Sequence, residues 1–250
     1  MGVITNLYSN DVSWQSIAAK PPILADSDVH VWRINIPGNI KYLAKFEALL
    51  TADEILRAGR YKQQKDTYRF IVSRGTQRII LGQYLNLPPA GLQFVLGDHK
   101  KPYVLSDDGN MIHYNISHAG DWIVLAIARV PVGADVEFID ESFPFSDILA
   151  DNFSKAEERY IRQQDSTERF FTLWTRKEAI LKATGQGLGD HLPITPALNG
   201  DHILDASLTG STQNWQLISF ELSSKYLSTI VAEGGRPSYH FFNFKEATLH

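Results

Sequence analysis

Apolar and polar positions divide the chain into two runs of similar order. From Val29 to Ile36 they alternate, which predicts a strand. Helical periodicity follows from about 40 to 62. A longer helix is predicted from about Asp66 to Leu85, with Tyr68, Ile71, Val72, Ile79 and Leu81 among its apolar positions. Pro88-Pro89 stops that helix. Short strands are predicted near 92–96, 102–105 and 112–117, and WIVLAIAR, an unbroken apolar run, reads as a buried strand. After Val130-Pro131 the order restarts, with a strand at 132–138, helices from about 147 to 184, and strands near 203–207, 214–220 and 227–232. A strand, a helical stretch and several strands, twice over, predict an α+β fold of two similar α/β halves, residues 1–130 and 131–250. Beyond Gly234 the pattern is weak, although HFFNF fits an edge strand or a docking segment.

Composition narrows the function. With 250 residues, 44% of them hydrophobic, the chain can bury a substantial core, as one large domain or two small ones. A formal net charge of −4 argues against a general nucleic-acid binder. The charge is uneven, however: Arg57 to Arg78 holds seven Lys or Arg and one acid, whereas residues 116–250 hold eleven basic and eighteen acidic side chains. A basic region on an acidic protein suits a small polyanionic ligand, and a solvated helix face is the plainer explanation. The absence of cysteine excludes disulfides, thiolate catalysis and Cys-based metal sites. The N-terminus lacks the regions of a signal peptide and no apolar run is long enough to span a bilayer, so a cytoplasmic protein without a membrane partner is expected.

Two segments carry the chemistry. In PVGADVEFID, Asp135 and Glu137 are two apart on a strand and project to one face, with Val136 turned away. Side-by-side carboxylates repel unless a cation or proton lies between them. In FFTLWTRKEAILKATGQGL, Trp174, Glu178 and Lys182 recur every four residues on one helix face, behind Phe170 and Phe171. Glu178 and Lys182 could be a plain helix ion pair, worth roughly 0.2–0.5 kcal/mol. Beside so many aromatics, though, charges need partners. Asp135, Glu137 and Glu178 together can supply three carboxylates to one hard cation, and magnesium commonly completes such a shell with water and phosphate oxygens. Lys177 lies at the edge of the same face, and Gly185, Gly187 and Gly189 end the helix.

The order of G-x-D-x-E, W-x-x-K-E-A and K-A-T-G-x-G-L, preceded by NISHAGDW, resembles the Sfp-type 4′-phosphopantetheinyl transferases, from about Asp53 to about Leu192. The resemblance implies a pseudo-duplicated fold with the active site between the halves. It implies transfer of the phosphopantetheine arm of coenzyme A to a serine of an apo acyl or peptidyl carrier protein, releasing 3′,5′-ADP, as holo-carrier synthases do. Mg²⁺ is the implied metal, Mn²⁺ being possible, with Asp135, Glu137 and Glu178 as ligands. Glu178 fits both metal ligand and general base, and Lys182 would neutralise or protonate the departing phosphate. Ser117 and His118 match the family's Ser-His pair at the CoA phosphates. Lys101, in KKPYV, matches a G-K-P-x element, although Lys100 stands where the family has glycine. Arg57, Arg60 and Arg69 resemble the basic segment ending in D-x-x-R that grips the nucleotide 3′-phosphate, and Arg74 or Lys62 could replace one of them. A monomer is expected.

A non-catalytic CoA- or carrier-binding module of the same fold is the alternative, and loss of Asp135, Glu178 or Lys182 would have pointed to it. All three are present. A phosphotransferase using nucleoside triphosphates would call for G-x-x-x-x-G-K-[ST], which is missing.

Overall fold

A computed structural model describes residues 2–17, 21–96, 102–104, 111–187 and 191–245. Its strands, in chain order, are β1 (Gly2–Ser9), β2 (Trp14–Ser16), β3 (Asp28–Asn35), β4 (Phe94–Leu96), β5 (Pro102–Val104), β6 (His113–Ala119), β7 (Trp122–Ala128), β8 (Val132–Phe138), β9 (Gly200–Leu204), β10 (Trp215–Ser223), β11 (Tyr226–Glu233) and β12 (Ser238–Asn243). Its α-helices are α1 (Ile36–Asn39), α2 (Leu43–Glu47), α3 (Ala52–Ala58), α4 (Gln64–Leu85), α5 (Leu149–Asn152), α6 (Lys155–Ile161), α7 (Ser166–Thr184) and α8 (Ala206–Thr209). The strand–helices–strands order occurs twice, as the periodicity predicts. The helical stretch at 40–62 is several short pieces, because a Thr51–Glu54 capping box opens α3 afresh and the chain turns at Gly59. The strand expected at 203–207 stops at Leu204, because the Asp205 side chain accepts the Ser207 amide and starts α8.

Two five-stranded sheets carry the fold, in the orders β8-β11-β10-β1-β9 and β2-β12-β3-β7-β6. Alternation decides their layering. Val29 and Val31 of β3, with Val124, Ala126 and Ala128 of β7, pack against Val132, Ala134 and Val136 of β8 and Ile230 and Ala232 of β11, so the sheets meet face to face. The other faces receive the helices. Trp32, Ile34, Ile123, Leu125 and Ile127 pack with Ile71, Val72, Ile79 and Ile80 of α4, while Ala179, Ile180, Leu181 and Ala183 of α7 pack with Ile4, Leu204, Trp215, Leu217 and Val231. The order is helix, sheet, sheet, helix. β7 is covered on both faces, hence its unbroken apolar sequence.

The chain ends exchange sheets. β1 pairs in parallel with β10, inside the sheet otherwise built from residues after 131, and β12 pairs in parallel with β3 and β2 in the other sheet. The HFFNF segment is therefore an inner strand, with three-residue β2 as its cover, and not an edge.

Candidate active site

The sheets adjoin at β6 and β8, and the site lies on that seam. The Ala134 amide donates to Asn115 Oδ1 at 3.0 Å, and the Ser117 hydroxyl to Asp135 Oδ1 at 2.9 Å. Along β8 the even residues Val132, Ala134 and Val136 face the opposing sheet, so Gly133, Asp135 and Glu137 face α7. Gly133 explains how close α7 comes: a Cβ there would lie 2.1 Å from the Ala179 carbonyl oxygen and 2.8 Å from the Ala183 methyl. The first residue of the G-x-D-x-E motif therefore makes room for the helix. Gly185, at φ 76°, ends that helix with its amide on the Leu181 carbonyl.

On this base four charges converge. Lys182 Nζ donates to Asp135 Oδ1 at 2.6 Å and to Ser117 Oγ at 3.2 Å, and lies 3.7 Å from Glu178 Oε2. Asp135 is 2% exposed and Glu178 7%. Asp135 Oδ2 is buried and has no hydrogen-bond partner among the described residues. Burial raises the Asp135 carboxyl above its usual range, against the pull of Lys182 and Ser117. Burial, then repulsion from Asp135 and Glu178, lifts Glu137 to about 7, although Trp174 and Lys182 act the other way. Burial lifts Glu178 to about 6, with Asp135 adding to it and Lys182 opposing. Burial alone would lower Lys182, but Asp135, Glu178 and Glu137 together raise it.

The donor set fits a hard divalent cation. It offers oxygen ligands only, one of them an unsatisfied buried carboxylate oxygen, and its negative charges disfavour one another. The three carboxylates do not all come within 4.8 Å of one another, and Lys182 stands among them. One consequence can be measured. Because folding raises the pKa of Glu137 and Glu178, these groups favour the fold below their unfolded values, and that contribution is lost as pH rises through about 6 to 7. A cation bound to the ionised carboxylates restores it, so Mg²⁺ is expected to raise the melting temperature more at about pH 7.5 than at about pH 5. Equal shifts at the two pH values would detach the cation from these groups.

The remaining candidates among the described residues do not gather at one point. His118, at the end of β6, is kept from protonating by burial and by the positive charges of Arg69 and Lys182, so it is a neutral N–H donor. Arg69, paired with Asp66 at 3.0 Å, lines a hollow of about 350 Å³ with Ile36, Pro37, Ile40, Lys65, Tyr68 and Gly120. Arg57 and Arg60 do not join it: they line a second hollow, of about 500 Å³, with Asp53, Leu56 and Tyr61. Arg57 stands in the last turn of α3 with its guanidinium 5.3 Å above the Phe70 ring, whereas Arg69 stands in the second turn of α4. Lys101 lies outside the described residues. Lys177 points away from the site altogether, into an ion pair with Glu157 at 2.9 Å. Sequence reasoning missed Lys65, whose place four residues before Arg69 put both on one helix face. It also missed the carboxylate of Glu137 meeting Trp174, for which the i, i+4, i+8 stripe was the available signal.

Comparison with known proteins gives a consistent result. A family model described as 4′-phosphopantetheinyl transferase, N-terminal, matches residues 37–129, and one described as the 4′-phosphopantetheinyl transferase superfamily matches residues 131–237. The 4′-phosphopantetheinyl transferase HetI of Nostoc sp. is 34% identical over 191 residues, covering 72% of this chain and 78% of the relative. The 4′-phosphopantetheinyl transferase gsp of Aneurinibacillus migulanus is 39% identical over 141 residues, 54% of this chain and 55% of its own. The 4′-phosphopantetheinyl transferase Sfp of Bacillus subtilis is 25% identical over 195 residues, 75% and 84% respectively.

Proposed function

The chain belongs to the 4′-phosphopantetheinyl transferase superfamily, and we propose that it moves the phosphopantetheine arm of coenzyme A onto a serine of an apo carrier protein and releases 3′,5′-ADP. The observation that carries this reading is the meeting of Ser117 from one sheet, Asp135 from the other and Lys182 from α7 at one point, with a buried carboxylate oxygen left over. The division into 1–130 and 131–250 fits the same reading, since these lengths supply Ser117 and His118 on one side and the carboxylates on the other.

Asp135, Glu137 and Glu178 would hold Mg²⁺, or Mn²⁺, which when bound neutralises pyrophosphate charge and makes phosphorus more open to attack. The protein's own groups do the rest. Glu178, with a pKa of about 6, is ionised at neutral pH and can take the proton of the carrier serine. The serine oxygen then bonds to the β-phosphorus as the bond to the bridging oxygen breaks, and the electron pair leaves on 3′,5′-ADP. Lys182, kept protonated by three carboxylates, would neutralise that leaving phosphate. Neutral His118 would serve as a hydrogen-bond donor to a phosphate oxygen, and the Ser117 hydroxyl would do so only by turning from Asp135. Lys65 and Arg69 offer charge to the nucleotide end, and Lys101, Arg57 and Arg60 remain candidates further along the ligand.

Intact-mass spectrometry of an apo carrier protein incubated with this chain, CoA and Mg²⁺ tests the proposal. A gain of one phosphopantetheinyl group that needs metal supports it. CoA binding with no gain on several unrelated carriers favours a non-catalytic module. The nucleotide end has its own test. Arg69→Ala is expected to raise the KM for CoA roughly ten- to a hundredfold, the worth of one charged hydrogen bond, while turnover of dephospho-CoA changes little. Equal losses with both substrates would remove Arg69 from the 3′-phosphate.

A further inference from the structure

A second set of metal-binding side chains sits away from the seam, on the face of the other sheet that α4 covers. Asp28 and His30 are two apart on β3 and share a face, and β12 pairs in register so that His240 stands beside His30. Potential ligand atoms of Asp28, His30 and His240 all lie within 4.8 Å of one another. Asp28 Oδ1 is 3.4 Å from His240 Nε2, and Asp28 Oδ2 is 3.8 Å from His30 Nε2. Tetrahedral zinc, with bonds of about 2.0–2.2 Å, sets neighbouring ligand atoms about 3.3–3.5 Å apart. The two contacts use different oxygens of Asp28, and one ligand atom from each residue lies within 4.8 Å of the others, so small side-chain rotations would bring the three onto one zinc ion.

The groups behind these side chains are arranged as metal ligands require. His30 Nδ1 is hydrogen-bonded to the Tyr84 hydroxyl at 2.7 Å, and that oxygen also receives the Trp32 indole N–H at 3.1 Å. With Nδ1 as the donor, the Nε2 lone pair is left facing Asp28. Asp28 Oδ2 in turn accepts the Ala25 amide at 3.0 Å, which fixes the carboxylate. His30 is almost fully buried, whereas the His240 side chain is 40% exposed and Asp28 16%, so an ion has a route in from solvent. Burial, helped by His240, holds His30 down at about 4, and the ring is neutral at neutral pH. Two imidazoles and one carboxylate select zinc over magnesium or calcium, which take oxygen ligands.

We propose that Asp28, His30 and His240 bind one Zn²⁺, with a water molecule as fourth ligand, and that the ion fastens the last strand, β12, to β3. This site would be separate from the carboxylates on the seam and would act on the fold. β12 reaches the sheet only after the chain has crossed back from the opposite one, and its outer neighbour is the three-residue β2, so a clip between β3 and β12 acts where the sheet has least support.

Calorimetric titration of the full chain with Zn²⁺, in excess Mg²⁺, tests the proposal. One Zn²⁺ per chain is expected, with affinity falling roughly tenfold or more in His240→Ala and in Asp28→Asn, and unchanged in Asp135→Asn. Co²⁺ in place of zinc is expected to give the visible absorption of a tetrahedral ion in the wild type and to lose it in His240→Ala. His240 is partly exposed, so its truncation leaves the core intact, and circular dichroism verifies that. Absence of zinc binding, binding indifferent to both His240→Ala and Asp28→Asn, or binding abolished by Asp135→Asn would each overturn the site. None of these outcomes bears on carrier modification, which is read by mass.

Discussion

Asp135→Asn is expected to lower turnover by at least roughly a hundredfold, about 2.7 kcal/mol in the barrier, while leaving the protein folded. The two effects separate because of where the charge sits. An asparagine fits the same space, and its side-chain oxygen still accepts the Ser117 hydroxyl. What disappears is a buried negative charge whose second oxygen has no partner, so the fold loses little and sheds a desolvation penalty. Lys182 loses its nearest carboxylate, but it is 33% exposed and keeps Glu178 at 3.7 Å. The melting temperature of the metal-free variant should therefore equal or exceed that of the wild type, and the extra stabilisation by Mg²⁺ at neutral pH should shrink. Near-normal turnover in excess Mg²⁺ would take Asp135 out of the site. Unfolding of the variant would show instead that the Asp135–Lys182 pair holds the helix to the sheet, as an ordinary structural ion pair does.

Two pairs in the candidate site were legible because their members are local, whereas the meeting of Ser117, Asp135 and Lys182 is long-range. Asp135 and Glu137 share a strand face by period two, and Glu178 and Lys182 a helix face by period four, so each pair follows from spacing alone. The β3, α4 and β8 elements were legible as apolar runs rather than as clean periods, since β3 and β8 are buried on both faces and α4 is buried almost continuously from Gly75 to Gly82. β1 was not. Its inward positions are Gly2, Ile4 and Asn6, and its outward ones include Val3 and Leu7, so alternation in burial has no counterpart in alternation of polarity. Asn6 is tolerated inside only because its amide donates to the carbonyls of Pro196 and Leu198, almost two hundred residues on. Nor could β12 be placed between β2 and β3, because parallel pairing of a C-terminal strand with an N-terminal one leaves no local mark. The Gly133 contact was hidden in plain view: a motif glycine reads as a turn until the helix lying on it is seen.

The sharpest separation that only tertiary structure makes is between the two lysines of α7. Lys177 and Lys182 are five residues apart, about 140° around the helix, so they cannot serve one face. Lys182 reaches the seam, whereas Lys177 is fully buried on the other side, donating to the Leu192 and Thr195 carbonyls at 2.8 and 2.6 Å and pairing with Glu157 at 2.9 Å. Glu157 is 3% exposed and already engaged: it accepts the Ser154 amide that opens α6 and the Ala197 amide of the segment after α7. Lys177→Ala would leave that carboxylate buried without a counter-charge and the Thr195 carbonyl without the lysine's hydrogen bond, while the Leu192 carbonyl keeps the Thr195 amide at 3.3 Å. Breaking a buried pair in this way costs about 3–5 kcal/mol, a large part of the 5–15 kcal/mol that holds a typical domain. For a chain of this size the melting temperature should fall by about 6–20 °C. Turnover per folded molecule, measured well below the transition, should stay near wild type. The double variant Lys177→Met, Glu157→Gln should recover much of the loss, since it removes both charges and keeps their volume. If Lys177→Ala instead keeps its melting temperature and loses turnover or CoA binding, then Lys177 belongs to the chemistry, and its place beside Glu178 in the motif has that meaning.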